Sequence, residues 1–261
     1  MPTKATLLLA SLLLPSAQRL AEAVARHGWR TCVLDEQPSI TVTGPRSFYG
    51  GTDRAAEYAR RHELCLIEPP LDLLARVPRE LLGRTVRFGG LSNFHDSAGP
   101  LFIKPADPID KCFDAGIYRS LSDVRGRTVN ARTLVLAAEP VEWTSEFRCF
   151  VCEGKIAAWS PYLSYGRPVW KPGCAGETPP SLKAMCDRLI RAMGEALPPA
   201  FVVDIGVLED GPWAVVEFNP AWCSGILGAD VAAVLKVITR AAMWSKLATL
   251  ADRKWARLGM S

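Results

Sequence analysis

The sequence predicts a small α/β domain followed by an α+β domain. In residues 1 to about 95, strand-like and helix-like segments alternate, which is typical of an α/β unit. Beyond that point the chain is richer in strand-like segments, and two helix-like segments interrupt and end it. Its 261 residues, 49% of them hydrophobic, are enough for one large or two small domains with an ample core.

The first twenty residues allow two interpretations. MPTKATLLLASLLLPSAQRL has a lysine, an apolar run and a small-residue end, as a signal peptide does. The alternative is a buried strand that leads into the helix AQRLAEAVARHG, in which Leu20 and Val24 share one face. A second strand, TCVLDE, follows at once, and this unbroken pattern favours strand, helix and strand.

The rest of the chain divides at a segment rich in glycine and polar residues. Residues 89–100, GGLSNFHDSAGP, are predicted to be a linker, so we expect an N-terminal α/β domain at 1–95 and a second domain at 96–261. The strand-like segments of the second domain are LFIKP, RTLVLAAEPVEW, SEFRCFVCEGKIAAWSPYL, AFVVDIGVLE and WAVVEFN. Its helix-like segments are SLKAMCDRLIRAMGEAL and ADVAAVLKVITRAAMWSKLATLA.

Charge and cysteine usage narrow the class of protein. The net charge of +4 is mild, and lysines and arginines are dispersed among acids, so we expect no nucleic-acid partner. The eight cysteines are scattered, several of them within apolar runs, as buried reduced thiols are, which favours a cytoplasmic protein. No run approaches the roughly twenty apolar residues of a membrane span, so we expect no membrane association.

The segment AFVVDIGVLEDGPWAVVEFNP contains a pair of acids at hairpin spacing. Two apolar runs flank Asp210 and Gly211, and a symmetric turn there places Asp204 opposite Glu217, with Asn219 on the same face. Facing side chains have Cβ atoms roughly 5 Å apart, and like charges directly opposite destabilise a sheet. A cation such as Mg²⁺, which prefers oxygen ligands, removes this conflict. The alternatives are one proton shared by the two carboxylates, or two solvated acids.

Four motifs occur in order along the chain: LFIKP with Lys104, LVLAAEPVEWTSEFRCFV, VVDIG and VEFNP. Together they resemble the motifs of the ATP-grasp superfamily, which includes D-alanine–D-alanine ligase and glutathione synthetase. More narrowly, the chain resembles the phage and bacterial branch named for two arginines and a lysine, over roughly residues 84–245. The resemblance implies an ATP-grasp fold behind the small N-terminal domain, with a smaller subdomain at about 100–140 and a larger one at about 141–250.

The resemblance also implies a nucleotide site. Lys104 would grip the α- and β-phosphates of ATP, since a point cation beside a phosphate chain offsets several negative charges. After the hinge residue Glu139, the backbone of Val141 and Glu142 would hydrogen-bond the adenine edge. Glu146, seven residues beyond Glu139, would hold the ribose hydroxyls.

Two further basic residues are candidates to contact the phosphates of ATP or to stabilise charge during phosphoryl transfer. Where many relatives have a glycine-rich loop, this chain has ADPIDKCFDAGIY, in which Lys111 is the candidate substitute. Arg148 follows Glu146 on the same strand face and is predicted to stabilise charge on the transferring phosphoryl group or an acyl phosphate. The alternative for Arg148 is a surface salt bridge with Glu146. The implied Mg²⁺ ligands, with two ions expected, are Asp204, Glu217 and Asn219.

The substrate side of the site is less defined by the sequence. Residues 160–180, SPYLSYGRPVWKPGCAGETPP, are predicted to form a long loop, and such loops often act as lids or binding loops. Tyr165, Arg167 and Lys171 are candidates to meet an anionic substrate. A solvated connection is the equally open alternative.

The resemblance implies an ATP-dependent, ADP-forming ligase that joins a carboxylate to an amine or similar nucleophile through an acyl phosphate. Its partners would be small molecules, peptides or proteins that carry those groups. Two alternatives stay open: a phosphotransferase that uses the same cleft, and a non-catalytic nucleotide-binding module. ADP with free phosphate indicates ligation, whereas ADP with a phosphorylated acceptor indicates transfer.

Overall fold

The computed structural model describes residues 5–37, 39–51, 53–94, 99–109, 112–126, 128–209 and 211–256. The strands are, in chain order, β1 (Thr6–Leu9), β2 (Arg30–Val33), β3 (Arg46–Tyr49), β4 (Leu64–Leu66), β5 (Val86–Gly90), β6 (Leu101–Pro105), β7 (Gly116–Tyr118), β8 (Leu134–Ala138), β9 (Trp143–Cys152), β10 (Lys155–Ser164), β11 (Arg167–Pro168), β12 (Ala200–Leu208), β13 (Trp213–Asn219) and β14 (Ala242–Trp244). The α-helices are α1 (Pro15–Arg26), α2 (Ala55–Arg61), α3 (Arg79–Leu82), α4 (Pro180–Met193), α5 (Val231–Ala241) and α6 (Leu250–Arg253). None of the helices in these ranges combines the length and apolar character needed to cross a membrane.

The first sheet has the strand order β2-β1-β3-β14-β4. Strand β1 pairs in parallel with β2 and β3, and α1 crosses between β1 and β2. Helix α1 begins with Pro15, whose fixed φ suits a first helical residue, and it buries one face that includes Leu20 and Val24. The interpretation of the N-terminus as strand, helix and strand is therefore confirmed.

Strand β14 differs from the sequence-based prediction of one continuous helix through residues 229–251. Helix α5 ends at Ala241, and the next three residues pair antiparallel with β4 and β3. The Ala242 carbonyl also accepts a hydrogen bond from Ser47 Oγ at 2.6 Å. Because Ala242 and Met243 are buried and the sheet satisfies their backbone groups, an extended chain replaces the helix here.

Two antiparallel sheets carry most of the remaining chain. The five-stranded sheet has the order β11-β10-β9-β12-β13, and the four-stranded sheet has the order β5-β8-β6-β7. Residues 89–94 are not the linker that was predicted. Gly89 and Gly90 end β5 against β8, and Leu91–Phe94 form a 3-10 helix. A Cβ at Gly90 would lie 3.2 Å from the Ala131 carbonyl oxygen, so glycine suits this close approach. Residues 95–98 lie outside the described ranges, and the domain boundary at about 95 stays a prediction.

The predicted long loop at residues 160–180 is partly strand. Strand β10 continues to Ser164, and Tyr165 and Gly166 form a turn with positive φ that returns the chain into β11. The backbone of Val169 also bonds to Tyr162 in β10, at 3.1 Å. A tight hairpin therefore takes up the first half of the segment.

The five-stranded sheet is covered on both faces. On one face Phe150 and Val202 belong to the core cluster shared with α1, α5 and the first sheet. On the other face Val151 and Val203 pack in a second cluster with α4. Because side chains alternate along a strand, Asp204 follows Val202 on the first face. Its carboxylate thus stands at the end of an apolar row.

Candidate active site

The strand pairing brings three charged residues into one row. Asp204 in β12 lies opposite Arg148 in β9 on one side and opposite Glu217 in β13 on the other. Asn219 lies opposite Val202, one step along the same face as Glu217. The predicted pairing of Asp204 with Glu217 is therefore confirmed.

The sequence-based prediction assumed a symmetric hairpin, but the hairpin that creates this pairing is not symmetric. Nearer the turn, Ile205 lies opposite Val215, so Val216 is an extra residue between two paired positions. Such a β-bulge shifts the register by one residue on one strand. As a result, odd-numbered residues of β13 on the turn side of the bulge face the opposite side of the sheet from odd-numbered residues on the cleft side. Asp210, at the predicted centre of the turn, lies outside the described residues.

Arg148 and Asp204 form a bidentate ion pair at the edge of the core. Arg148 Nε donates to Asp204 Oδ1 at 2.9 Å, and Nη2 donates to Oδ2 at 2.6 Å. Burial lowers the pKa of Arg148, but the Asp204 carboxylate raises it by more, so the guanidinium stays charged. The Arg148 guanidinium carbon also lies 4.7 Å from the centre of the Tyr162 ring. The surface-pair alternative for Arg148 is therefore wrong, because the guanidinium is buried and bound to Asp204.

Lys104 and Glu217 form the second ion pair, between the four-stranded and five-stranded sheets. Lys104 Nζ donates to Glu217 Oε2, and Asn219 Nδ2 donates to Glu217 Oε1 at 2.9 Å. Arg148 Nη2 is 3.9 Å from the same Oε1. Burial raises the pKa of Glu217, but these neighbours, Lys104 first, have a larger effect in the opposite direction and bring the pKa down from 4.5 to about 2. Glu217 is thus held ionised by two cations and an amide.

Glu146 lies in the same electrostatic field, but its surroundings favour the protonated form. Burial raises its pKa to about 7, and the carboxylates of Asp204 and Glu217 add to this effect. Arg148 and Arg84 lower the pKa only in part. Glu146 is therefore a carboxyl that titrates near neutral pH.

Some of these groups face a cleft of about 490 Å³, whereas Asp204 and Glu146 are not among the described residues that line it. Lys104, Arg148, Glu217 and Asn219 line it, together with the loop 223–225. Two acids, Asp107 and Asp114, and the ring of Phe113 come from the segment that follows Lys104. The cleft thus combines two cations with a set of oxygen ligands on one wall.

The predicted hinge residues lie away from the described lining of this cleft. The Glu139 carboxylate accepts a hydrogen bond from the Thr85 N–H at 2.7 Å, and its pKa is lowered by that bond. The Glu142 carbonyl accepts one from the Glu209 N–H at 3.1 Å. Roles of Glu139, Val141 and Glu142 in binding adenine stay predictions.

The predicted substrate residues also lie elsewhere. Tyr165, Arg167 and Lys171 are exposed on the β10–β11 hairpin and the chain that follows it, and they are not among the residues that line the cleft within the described chain. Lys111, proposed for phosphate cover, lies outside the described residues. Their roles stay predictions.

Tyr162 is a cleft residue that the sequence reasoning missed. Pairing between β9 and β10 shifts at Tyr162, which lies between the paired Pro161 and Leu163. A simple alternation of side chains therefore gives the wrong face for it. The loop 223–225 was missed because it follows Pro220, where the strand motif ends.

Comparison with known proteins agrees with this architecture. Residues 81–237 match a family model of the ATP-grasp domain, namely family 2 of the clade named for two arginines and a lysine. No curated protein matches the chain by sequence.

Solved structures of similar fold include D-cycloserine synthetase DcsG, with 14% identity, a TM-score of 0.54, and coverage of 88% of this chain and 96% of that one. Carboxyaminoimidazole ribonucleotide synthase from Aspergillus clavatus, complexed with ATP, has 12% identity and a TM-score of 0.55 over 98% and 80% of the two chains. D-alanine–D-alanine ligase from Bacillus anthracis has 11% identity and a TM-score of 0.50 over 92% and 97%. At these identities the likeness concerns the fold alone, and the predicted ATP-grasp fold is confirmed. Since the family match spans more than half of the sequence, the chain belongs to the ATP-grasp domains, in family 2 of the clade named for two arginines and a lysine.

Proposed function

We propose that this protein is an ATP-dependent, ADP-forming ligase that joins a carboxylate to an amine or a similar nucleophile. The observation that carries the proposal is the convergence of Lys104, Arg148, Glu217 and Asn219 on one cleft, with the buried Asp204 paired directly behind Arg148 and Glu217. Two cations beside a set of oxygen ligands suit a nucleotide whose phosphates share metal ions with the protein. Membership in the ATP-grasp family supports the same interpretation.

The chemistry of the ligand set fits Mg²⁺ bound together with a nucleotide. Within the described ranges, no three His, Cys, Asp or Glu side chains form a metal-binding group of their own. Asp204, Glu217 and Asn219 offer two carboxylates and one amide, and Mg²⁺ in nucleotide sites commonly takes one or two carboxylates plus phosphate oxygens. When bound there, Mg²⁺ would neutralise charge on the β- and γ-phosphates. We propose these three residues as its protein ligands.

The two cations of the cleft have different tasks in this proposal. Lys104 exchanges its carboxylate partner Glu217 for the phosphate chain of ATP, as a flexible point charge can do. Arg148 keeps Asp204 through Nε and Nη2, which leaves Nη1, now 3.4 Å from the Gly225 carbonyl, to meet charge that develops on the transferring phosphoryl group. Backbone groups at Val141 and Glu142 would receive the adenine, and Glu146 the ribose.

The reaction itself needs positioning more than a protein nucleophile. A carboxylate oxygen of the substrate attacks the γ-phosphorus, and the bond to ADP breaks to give an acyl phosphate. The amine then attacks the acyl carbon, phosphate leaves, and the amine loses a proton as the amide forms. The positive charge of Lys104 and Arg148 stabilises the negative charge of the transferring phosphoryl group and of the acyl phosphate.

The test is nucleotide binding followed by product analysis. Calorimetry with a non-hydrolysable ATP analogue should show clearly tighter binding with Mg²⁺ than without it, and equal affinity would remove the metal from the proposal. A screen of carboxylates with amines should then yield ADP, free phosphate and a joined product. A phosphorylated acceptor in place of free phosphate would instead identify a phosphotransferase, and no turnover with any acceptor class would favour a nucleotide-binding module.

A further inference from the structure

Arg84 is a buried arginine, 6% exposed, that the proposed chemistry does not use. It precedes β5, and its guanidinium points to the outer edge of β13. Nη1 donates to the Val215 carbonyl at 2.9 Å, and Nη2 donates to the Val216 carbonyl at 3.0 Å. Nη1 also donates to the Leu82 carbonyl at 3.0 Å. The guanidinium carbon lies 5.0 Å from the centre of the Trp143 ring, so the group is fixed by one ring and three carbonyls.

It is unusual for two successive carbonyls of one strand, here those of Val215 and Val216, to accept hydrogen bonds from the same guanidinium. In a regular strand, successive carbonyls point to opposite edges, so a group at one edge reaches only every second one. Val215 and Val216 both reach Arg84 because Val216 is the extra residue of the bulge. The contact with Arg84 is therefore specific to the bulged form of β13.

The bulge decides which face Glu217 occupies. Val215 and Phe218 both pack in the cluster beneath α4, although they are three residues apart. Glu217 and Asn219 consequently face Asp204 and the cleft. In a strand that alternated regularly from Val215, Glu217 would share the face of Val215 and point into apolar side chains.

We propose that Arg84 is a positioning residue for the metal and nucleotide site, which holds the bulge at Val216 and so keeps Glu217 opposite Asp204. The proposal rests on the proposed function, because it assigns Arg84 to the same site. Two other roles compete with it. Arg84 could contact phosphate directly, or it could contribute to stability alone.

A deletion separates these roles. Without Val216, the residue that follows Val215 is Glu217, and regular pairing then places it opposite Asp204 with no bulge to hold. The variants are Arg84→Met, Arg84→Lys, and Arg84→Met combined with deletion of Val216. Arg76→Met, which removes an exposed arginine paired with Asp72, is the matched control.

The measurement is binding of a non-hydrolysable ATP analogue by calorimetry, with and without Mg²⁺. Arg84→Met should reduce the gain in affinity from Mg²⁺ by about ten-fold or more, as losing the support of a metal ligand does. Affinity without Mg²⁺ should change by less than about three-fold, and Arg84→Lys should give an intermediate loss, since one ammonium cannot span both carbonyls. Adding the deletion to Arg84→Met should restore most of the gain.

Amide exchange in the protein without nucleotide provides a second, independent readout. Arg84→Met should speed exchange in the segment that contains Glu217 but not in β9, whereas Arg76→Met should change neither. If deletion of Val216 did not restore the Mg²⁺ gain in Arg84→Met, direct contact between Arg84 and phosphate would replace the proposal. An unchanged Mg²⁺ gain in Arg84→Met, or unchanged exchange near Glu217, would overturn it. If the wild-type protein shows no Mg²⁺ gain but the exchange result holds, the proposed function fails and the bulge assignment survives.

Discussion

Two ion pairs of the cleft use the same kinds of charge but differ in burial. The side chains of Arg148 and Asp204 are 9% and 1% exposed and share two hydrogen bonds, whereas those of Lys104 and Glu217 are 19% and 27% exposed and share one. A buried pair has lost its hydration, so removing one partner leaves a charge that nothing compensates. A pair at the mouth of a cleft can exchange partners with water or ligand at little cost. The comparison indicates that the first pair is fixed and the second is exchangeable.

The largest effect is expected when the buried pair is broken at Asp204. Asp204→Asn removes the charge that compensates Arg148 and should lower the free energy of unfolding by about 3–5 kcal/mol. The same variant should abolish Mg²⁺-dependent nucleotide binding. Urea denaturation checks the first effect, with Glu209→Gln near the turn as the control, expected within about 0.5 kcal/mol of wild type. If Asp204→Asn were as stable as Glu209→Gln, the buried ion pair would not stabilise the protein as this comparison requires.

Replacing the other member of the buried pair should affect turnover most. Arg148→Ala should lower turnover by roughly two orders of magnitude or more while nucleotide affinity changes by only a few-fold. Arg148→Lys should rescue little, because a point charge cannot replace a planar bidentate group. Single-turnover ATP hydrolysis checks this before an acceptor is known. Unchanged rates in both variants would remove Arg148 from the reaction and leave it a structural role.

The exchangeable pair should behave in the opposite way. Lys104→Met should lower affinity for the ATP analogue by about ten-fold through the lost phosphate contact. It should change the free energy of unfolding by no more than about 1 kcal/mol, because the pair is partly solvated. Calorimetry and urea denaturation on the same protein sample test both. A loss of stability as large as that of Asp204→Asn would erase the distinction between the two pairs.

The smallest effect concerns pH. Burial raises the pKa of Glu146 from 4.5 to about 7, so the folded protein binds this proton more tightly than the unfolded chain. The resulting stability is complete below a pH of about 4.5 and is lost as the pH rises through about 7. Glu146→Gln should therefore show a smaller fall in Tm than wild type between pH of about 5 and 8.

Thermal melts across this range test the titration of Glu146, with Glu209→Gln as the control that keeps the wild-type profile. An identical slope in Glu146→Gln and wild type would assign the whole pH dependence to other groups.

The sequence carried the motifs of the site but not the irregularities that assemble it. Asp204 opposite Glu217 followed from hairpin spacing. The bulges at Val216 and Tyr162 did not follow, because a single extra residue leaves no mark in an apolar run.

Arg84 and β14 were missed for a related reason. The partners of Arg84 are backbone carbonyls far along the chain, and backbone groups carry no sequence signature. The segment AMW resembles a continuation of α5 because its residues also suit a helix, and only long-range pairing with β3 and β4 makes it a strand.

Strand β14 also constrains the order in which the protein can fold during synthesis. It sits between β3 and β4, which are made early, while β14 itself emerges from the ribosome only after the cleft-forming strands. Until then the facing edges of β3 and β4 have unpaired backbone groups, and exposed strand edges are sites of aggregation. The N-terminal sheet therefore cannot close on a nascent chain, and it reaches its final pairing only once the nucleotide cleft has been translated.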